Sequence, residues 1–393
     1  MSTYFEFTNP TKLCSGKGAA DNISYELKML GARRPMVLCD GVLEKIGTLS
    51  VVLDSLGDLQ VGRIFTDIPR DSSVDTVNRI AGEYRDYGCD SLLAVGGGSV
   101  LDTAKGVRLL ISQKADDLKT LMGCESISRG EHIPFVAVPT TAGTGSEATA
   151  VAVIKDTVNH VKMEYISAQL MPDVAVLDPR MTMTLPPRTT ASTGMDTLCH
   201  AIEAYSCIHK NPVSDAYALT AVGLVRENLI NAVRFGGSAK ARLALANASF
   251  LAGAAFSNSM VGIVHAIGHA LGGVCGVPHG DAMNILLPAG MMFNRRVCGD
   301  SYGKLLFYLA GEEVYLKTPS RKRGDRAIAE VLRLRSCLHK LTGLPQTLKE
   351  AGVDPASFPE VAKTALNDGA AIVNPRQVTY EAVIRILEVC YGD

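Results

Sequence analysis

The stretch SLLAVGGGSVLDTAKG at residues 91–106 runs from a β-rich apolar segment, Ser91 to Val95, through three glycines into a helical pattern beginning at Val100. A strand that turns on glycines straight into a helix is the opening of a βα unit. Working outward, further short apolar runs stand at Met36 to Cys39, Phe135 to Val138 and Val174 to Leu177, separated by longer helical patterns between about residues 23 and 185. The alternation predicts a parallel sheet wrapped by helices. At Leu185-Pro186-Pro187 the texture changes, and beyond it lie Ala- and Leu-rich stretches such as Ala239 to Phe256 and Asp325 to Leu341. That half is expected to be all helical, with the charged stretch Lys317 to Arg326 as a solvated loop. The expected architecture is α/β for residues 1–185 followed by all-α for 186–393.

Composition narrows the function. The 393 residues hold 39 Lys and Arg against 40 Asp and Glu, a net charge of −1, with no basic stripe to neutralise nucleic-acid phosphates. No stretch approaches the roughly 20 apolar residues that span a bilayer, and the N-terminal MSTYFEFTNPTKLCSGKG lacks a basic region followed by an apolar block. Ten scattered cysteines without a C-x-x-C pair suit reduced thiols. A cytoplasmic protein that binds neither nucleic acid nor membrane is expected.

Two loops carry a ligand signal. Gly96-Gly97-Gly98-Ser99 lets backbone amides approach an anion at a helix N-terminus, and Asp102 and Lys105 follow on that helix. The second loop, PTTAGTGSE at 139–147, also follows a strand, so both should lie at the carboxyl edge of one sheet, where ligands of open α/β sheets bind. Two such loops fit a dinucleotide pyrophosphate. Asp40 ends the first strong strand, where a carboxylate can accept from an adenosine ribose and repel a 2′-phosphate, favouring NAD; it can also cap the helix that follows. Lys162 sits in the alternating segment His160 to Tyr165.

The strongest chemistry lies in the helical half. Asp196 and His200 are four residues apart, as are His265 and His269, so each pair shares a helix face; His279 follows between Pro278 and Gly280 on a rigid turn. One carboxylate with imidazoles suits Fe²⁺ or Zn²⁺. The spacing leaves open which of the five groups bind metal and which acts in proton transfer. His132, His160, His209 and His339 stand alone and receive no role.

With these motifs in place the chain resembles the iron-containing (group III) alcohol dehydrogenase family from about residue 5 to the end. The likeness rests on GGGSVLDTAK at 96–105, PTTAGTGSE at 139–147, LDPRMTMTLPPRTTASTGMDTLCHAIEAY at 177–205, AFSN at 255–258, HAIGHALGG from His265, PHG at 278–280 and NPR at 374–376. The resemblance implies that Asp196, His200, His265 and His279 hold the metal, Fe²⁺ before Zn²⁺, with His269 beside it near the nicotinamide. It likewise implies NAD contacts at Asp40, Gly97, Gly98, Ser99, Asp102, Thr140, Thr141, Thr144 and Lys162. It further implies a dinucleotide-binding domain, a helical metal-binding domain, an active site in the cleft between them, and a homodimer or larger homo-oligomer.

The expected activity is hydride transfer between NAD(H) and a small primary alcohol, diol or aldehyde, with the cation as Lewis acid. Gly268, Val274-Cys275-Gly276, Val151 and Phe256 are expected to shape the substrate cleft, the first two by widening it. Two rivals are weighed. A dehydroquinate-synthase-like lyase would need Lys and Arg around the metal motifs, and segments 194–205 and 262–280 have none. A non-enzymatic NAD sensor or structural metal protein would favour closed, Cys-rich ligation.

Overall fold

The computed structural model describes residues 4–159 and 161–392, so His160 lies outside the described residues. Eight strands occur among them: β1 (Lys12–Ser15), β2 (Pro35–Cys39), β3 (Arg63–Phe65), β4 (Ser91–Gly96), β5 (Phe135–Pro139), β6 (Val151–Asp156), β7 (Val161–Ile166) and β8 (Val174–Leu177). Six form one parallel sheet in the order β1-β8-β5-β4-β2-β3. β2, β4, β5 and β8 are buried along their whole length. Their period of two distributes side chains to two cores: Met36, Leu38, Leu92, Ala94, Phe135 and Ala137 enter one, and Val37, Cys39, Leu93, Val95, Val136 and Val138 enter the other. Each fully buried Val, Leu or Phe contributes about 1.5–3 kcal/mol, which explains why these runs read so clearly.

β6 and β7 form a separate antiparallel hairpin. Its inner face carries Ala152, Ile154 and Tyr165 into the first core.

After residue 178 the described regular elements are all helical. Helix Pro187–Ser206 packs on helix Pro212–Arg234 so closely that a Cβ at Gly194 would meet Leu229 Cδ1 at 2.3 Å. Helices Ile263–Cys275 and His279–Ala310 follow. No described helix is long and apolar enough to cross a membrane.

The chain divides into two compact units, but not by a single cut at 185/186. One comprises Thr8–Leu185 with Gly237–Phe250; the other comprises Pro186–Gly236 and Leu251 onward, with the described residues up to Phe7. The returning segment is held by side chains. Arg242, 2% exposed, donates to the Leu185 carbonyl at 2.9 Å, and Ser249 Oγ accepts from the Gly145 amide at 3.1 Å. The stretch Lys317 to Arg326 is solvated as expected but is not all loop: a turn at Ser320–Lys322 leads into helix Arg323–Thr342, and the Arg323 guanidinium lies 3.7 Å over the Tyr315 ring.

Candidate functional site

Helix Pro187–Ser206 places Asp196 and His200 one turn apart on a buried face, and helix Ile263–Cys275 adds His265 from its first turn. His279 opens helix His279–Ala310 directly after Pro278, the rigid turn expected from the sequence. Asp196 Oδ1 lies 3.2 Å from His279 Nε2, 3.7 Å from His200 Nδ1 and 4.0 Å from His265 Nε2. Donor atoms of all four residues fall within 4.8 Å of one another. Tetrahedral ligands about 2.1 Å from a shared cation stand roughly 3.4 Å apart, so these spacings fit one ion.

The electrostatics agree. Asp196 Oδ1, His200 Nδ1 and His265 Nε2 are buried without a hydrogen-bond partner, a costly arrangement unless a cation supplies the missing interaction. Burial pushes His200 down to about 3 and His265 well below the usual imidazole range, so both are neutral and have lone pairs to offer. The donor set therefore fits a divalent metal with borderline preferences.

Two carboxylates that the sequence does not single out brace this cluster, and a third holds the neighbouring His269. Glu203 Oε2 lies 2.6 Å from His265 Nδ1. Asp281 accepts from Ser192 Oγ and Arg188, both at 2.9 Å, tying the turn after His279 to the helix of Asp196. Asp368 Oδ2 lies 2.7 Å from His269 Nδ1. Only Glu203 had a legible signal: it falls seven residues after Asp196 and three after His200, a charged residue on the apolar face of an Ala-rich helix. Phe256 stacks on His200 with ring centroids 4.4 Å apart, forming an apolar wall.

His269 is near the cluster and not one of its four members. Its ring stacks on His279 with centroids 5.4 Å apart. Gly268 does not widen any cleft: a Cβ there would stand 2.0 Å from Met283 Cε, so Met283 already fills the space. Cys275 faces Ser357 Oγ at 3.2 Å, and Gly276 ends its helix at φ +70°, a backbone conformation that favours glycine.

In the sheet unit, the two glycine-rich loops touch. A Cβ on Gly98 would meet Thr144 Cγ2 at 2.9 Å, and one on Gly97 would meet Thr141 Cγ2 at 3.3 Å. The Thr140 amide donates to Gly96 O at 3.0 Å, continuing the ladder between β4 and β5 at their carboxyl ends. The glycines serve close packing of loop on loop.

Other nominated residues have protein partners. Asp102 accepts from Ser146 Oγ at 2.7 Å and from the Val153 amide at 3.0 Å, and the Ser99 hydroxyl donates to the Arg70 carbonyl. Asp40 caps helix Gly41–Lys45, its Oδ1 accepting from Val42 and Leu43 amides at 2.9 and 3.0 Å. Lys162 is exposed on β7 directly opposite Lys155 on β6. Two like charges at one cross-strand position repel, and an anion between them would relieve the repulsion; Lys155 was not nominated from sequence.

Comparison with known proteins agrees over nearly the full length. Residues 10–179 match the family "Iron-containing alcohol dehydrogenase" and 190–391 match "Fe-containing alcohol dehydrogenase family, C-terminal". The probable alcohol dehydrogenase EutG of Salmonella typhimurium is 36% identical over 377 residues, covering 95% of this chain and 91% of that protein. The NAD-dependent methanol dehydrogenase of Bacillus methanolicus is 33% identical over 383 residues, covering 97% and 98%. A crystal structure of 1,3-propanediol oxidoreductase superposes with a TM-score of 0.93 at 33% identity, covering 99% of this chain and all of that one. Loop motifs, donor cluster, fold and relatives converge: the chain belongs to the iron-containing alcohol dehydrogenase family.

Proposed function

We propose that this metal-dependent alcohol dehydrogenase transfers hydride between NAD(H) and a small primary alcohol, diol or aldehyde, with Asp196, His200, His265 and His279 holding the metal. The observation that carries the reading is the set of three partnerless buried atoms, Asp196 Oδ1, His200 Nδ1 and His265 Nε2, gathered with His279. When bound, NAD supplies the hydride acceptor, and a divalent cation supplies positive charge that stabilises negative charge developing on the substrate oxygen.

The chain's own residues do the rest. Asp196 and three imidazoles fix the position of that charge, and Phe256 presents an apolar face to the substrate carbon chain. His269, oriented through Nδ1 by Asp368, moves a proton at its Nε2. Amides of the loop at Gly97, Gly98 and Ser99, with Thr140, Thr141 and Thr144, bind the pyrophosphate, and Asp102 holds the second loop in place through Ser146. Lys162 neutralises phosphate charge, and Asp40 accepts from the adenosine ribose and disfavours NADP. The ten cysteines are all unpaired, which supports a reducing compartment, the cytoplasm; a homodimer or larger oligomer is proposed with it. Nothing in the site favours the lyase or the sensor.

The test assays primary alcohols, diols and short aldehydes with NAD(H) and NADP(H), on protein loaded anaerobically with Fe²⁺ and separately with Zn²⁺. Turnover with NADH and a short aldehyde is expected, and His279→Ala should abolish it while NADH still binds, as read by nucleotide fluorescence. Near wild-type kcat for His279→Ala after chelator treatment would end the metal assignment.

A further inference from the structure

Helix Ile263–Cys275 begins at Gly262, which has no side chain to cap it. Its opening amides are instead met by two residues from elsewhere in the chain. Glu203 Oε2 accepts from the Gly262 amide at 3.0 Å and the His265 amide at 3.2 Å, and Oε1 accepts from Val264 at 2.8 Å. Asn374 Oδ1 accepts from Ile263 at 3.2 Å. A helix leaves its first amides without internal partners, so these bonds decide whether the turn holds its shape. The space is tight: a Cβ at Gly262 would stand 2.8 Å from Asn374 Oδ1 and 3.0 Å from Glu203 Oε1.

Glu203 makes one contact that a cap alone does not need, the 2.6 Å approach of Oε2 to His265 Nδ1. With three backbone amides already donating to its two oxygens, Glu203 is the acceptor, and His265 Nδ1 carries the proton. The lone pair is then left on Nε2, the buried atom that lies 4.0 Å from Asp196 Oδ1 without a partner. Partners that fix a ligand's tautomer and ring orientation strengthen metal binding.

We propose that Glu203 is a positioning residue for the metal: through His265 Nδ1 it selects the tautomer and aims Nε2, and through three amides it fixes the turn on which His265 stands. The inference rests on the metal-site reading above. Metal-free protein is titrated with Co²⁺ against a competing chelator, with the visible spectrum of the bound ion recorded. Glu203→Gln is expected to weaken Co²⁺ binding roughly 10- to 100-fold and to shift the visible bands. Asn374→Ala removes a cap from the same turn without touching the imidazole; it should lower the melting temperature yet keep the bands and hold affinity within about threefold.

Wild-type affinity in Glu203→Gln, or equal losses and equal band shifts in the two variants, would overturn the proposal. Failure of the wild type itself to bind Co²⁺ would overturn the metal reading and this inference with it. If Glu203→Gln does not fold, nitrogen-15 histidine spectra of the Zn²⁺-loaded wild type decide. A slowly exchanging Nδ1 proton, absent from His265→Asn, is expected, and its absence from the wild type overturns the assignment.

Discussion

Asp40 has two roles open to it, and Asp40→Asn separates them. The cap uses a single oxygen, Oδ1, which takes both the Val42 and Leu43 amides. An asparagine keeps that acceptor and caps as well as aspartate, so the helix start at Gly41 should survive. What the substitution removes is charge. A unit charge about 5 Å from a 2′-phosphate costs about 3 kcal/mol per phosphate charge at an effective dielectric near 20, and screening and rearrangement reduce this to about 1 kcal/mol. That remainder is about fivefold in affinity. The ratio of kcat/KM for NADP to that for NAD should therefore rise about fivefold or more in Asp40→Asn, with the melting temperature unchanged, and the gain should shrink in high salt. Asp40→Ala should shift the ratio similarly but also lose about 1 kcal/mol of stability through the lost cap. An unchanged cofactor ratio in Asp40→Asn would reduce Asp40 to a helix cap and send the adenosine elsewhere.

Further outcomes are expected. His269→Ala should keep its metal, measured by elemental analysis, and lose roughly 10²- to 10⁴-fold in kcat as a proton-transfer group; stoichiometric metal loss would make it a ligand instead. Glu147, 1% exposed with Oε1 unpartnered, is pushed up to about 7 by burial, so its native form favours the proton and its contribution to stability falls as pH rises from about 4.5 to 7. Glu147→Gln should accordingly gain on the wild type in urea denaturation as pH rises from about 4.5 to 7 and level off above that, and the two should run parallel below the unfolded value; a pH-independent difference would refute the assignment. Gly268→Ala needs only the flexible end of Met283 to shift and should cost no more than about 1 kcal/mol, without altering the relative kcat/KM for short and longer alcohols. A narrowed substrate range with unchanged stability would restore the glycine to the cleft wall.

The parts of the fold that were legible are those where one local pattern suffices. β2, β4, β5 and β8 are buried on both faces, so their composition alone marks them. β1 and β3, the outer strands of the sheet, are partly exposed, and β3 is only three residues long; neither presents an apolar run. The segment Gly237–Phe250 reads as part of an Ala-rich helix, and nothing local says that Arg242 and Ser249 attach it to the sheet unit. At Lys317 to Arg326, charge predicts solvation correctly, but solvation does not forbid a helix, and the last four residues begin one.

The same boundary between local and distant information runs through the site. Asp196 with His200, and His265 with His269, can be paired from spacing because a helix brings i and i+4 together whatever surrounds it. The bracing carboxylates act across 62 residues for Glu203 and His265, 89 for Asp281 and Ser192, and 99 for Asp368 and His269. No periodicity reaches so far. Gly268 shows the complementary error: a small residue beside a ligand motif reads as open space, yet the space belongs to whichever side chain another helix sends there, and here that is Met283. Spacing along a helix thus nominates the atoms that face a ligand, whereas what holds those atoms still is decided by contacts between elements. It follows that variants at the four proposed ligands, Asp196, His200, His265 and His279, should remove function outright, while variants at Glu203 and Asp281 should grade it, because they loosen an arrangement whose ligands remain present.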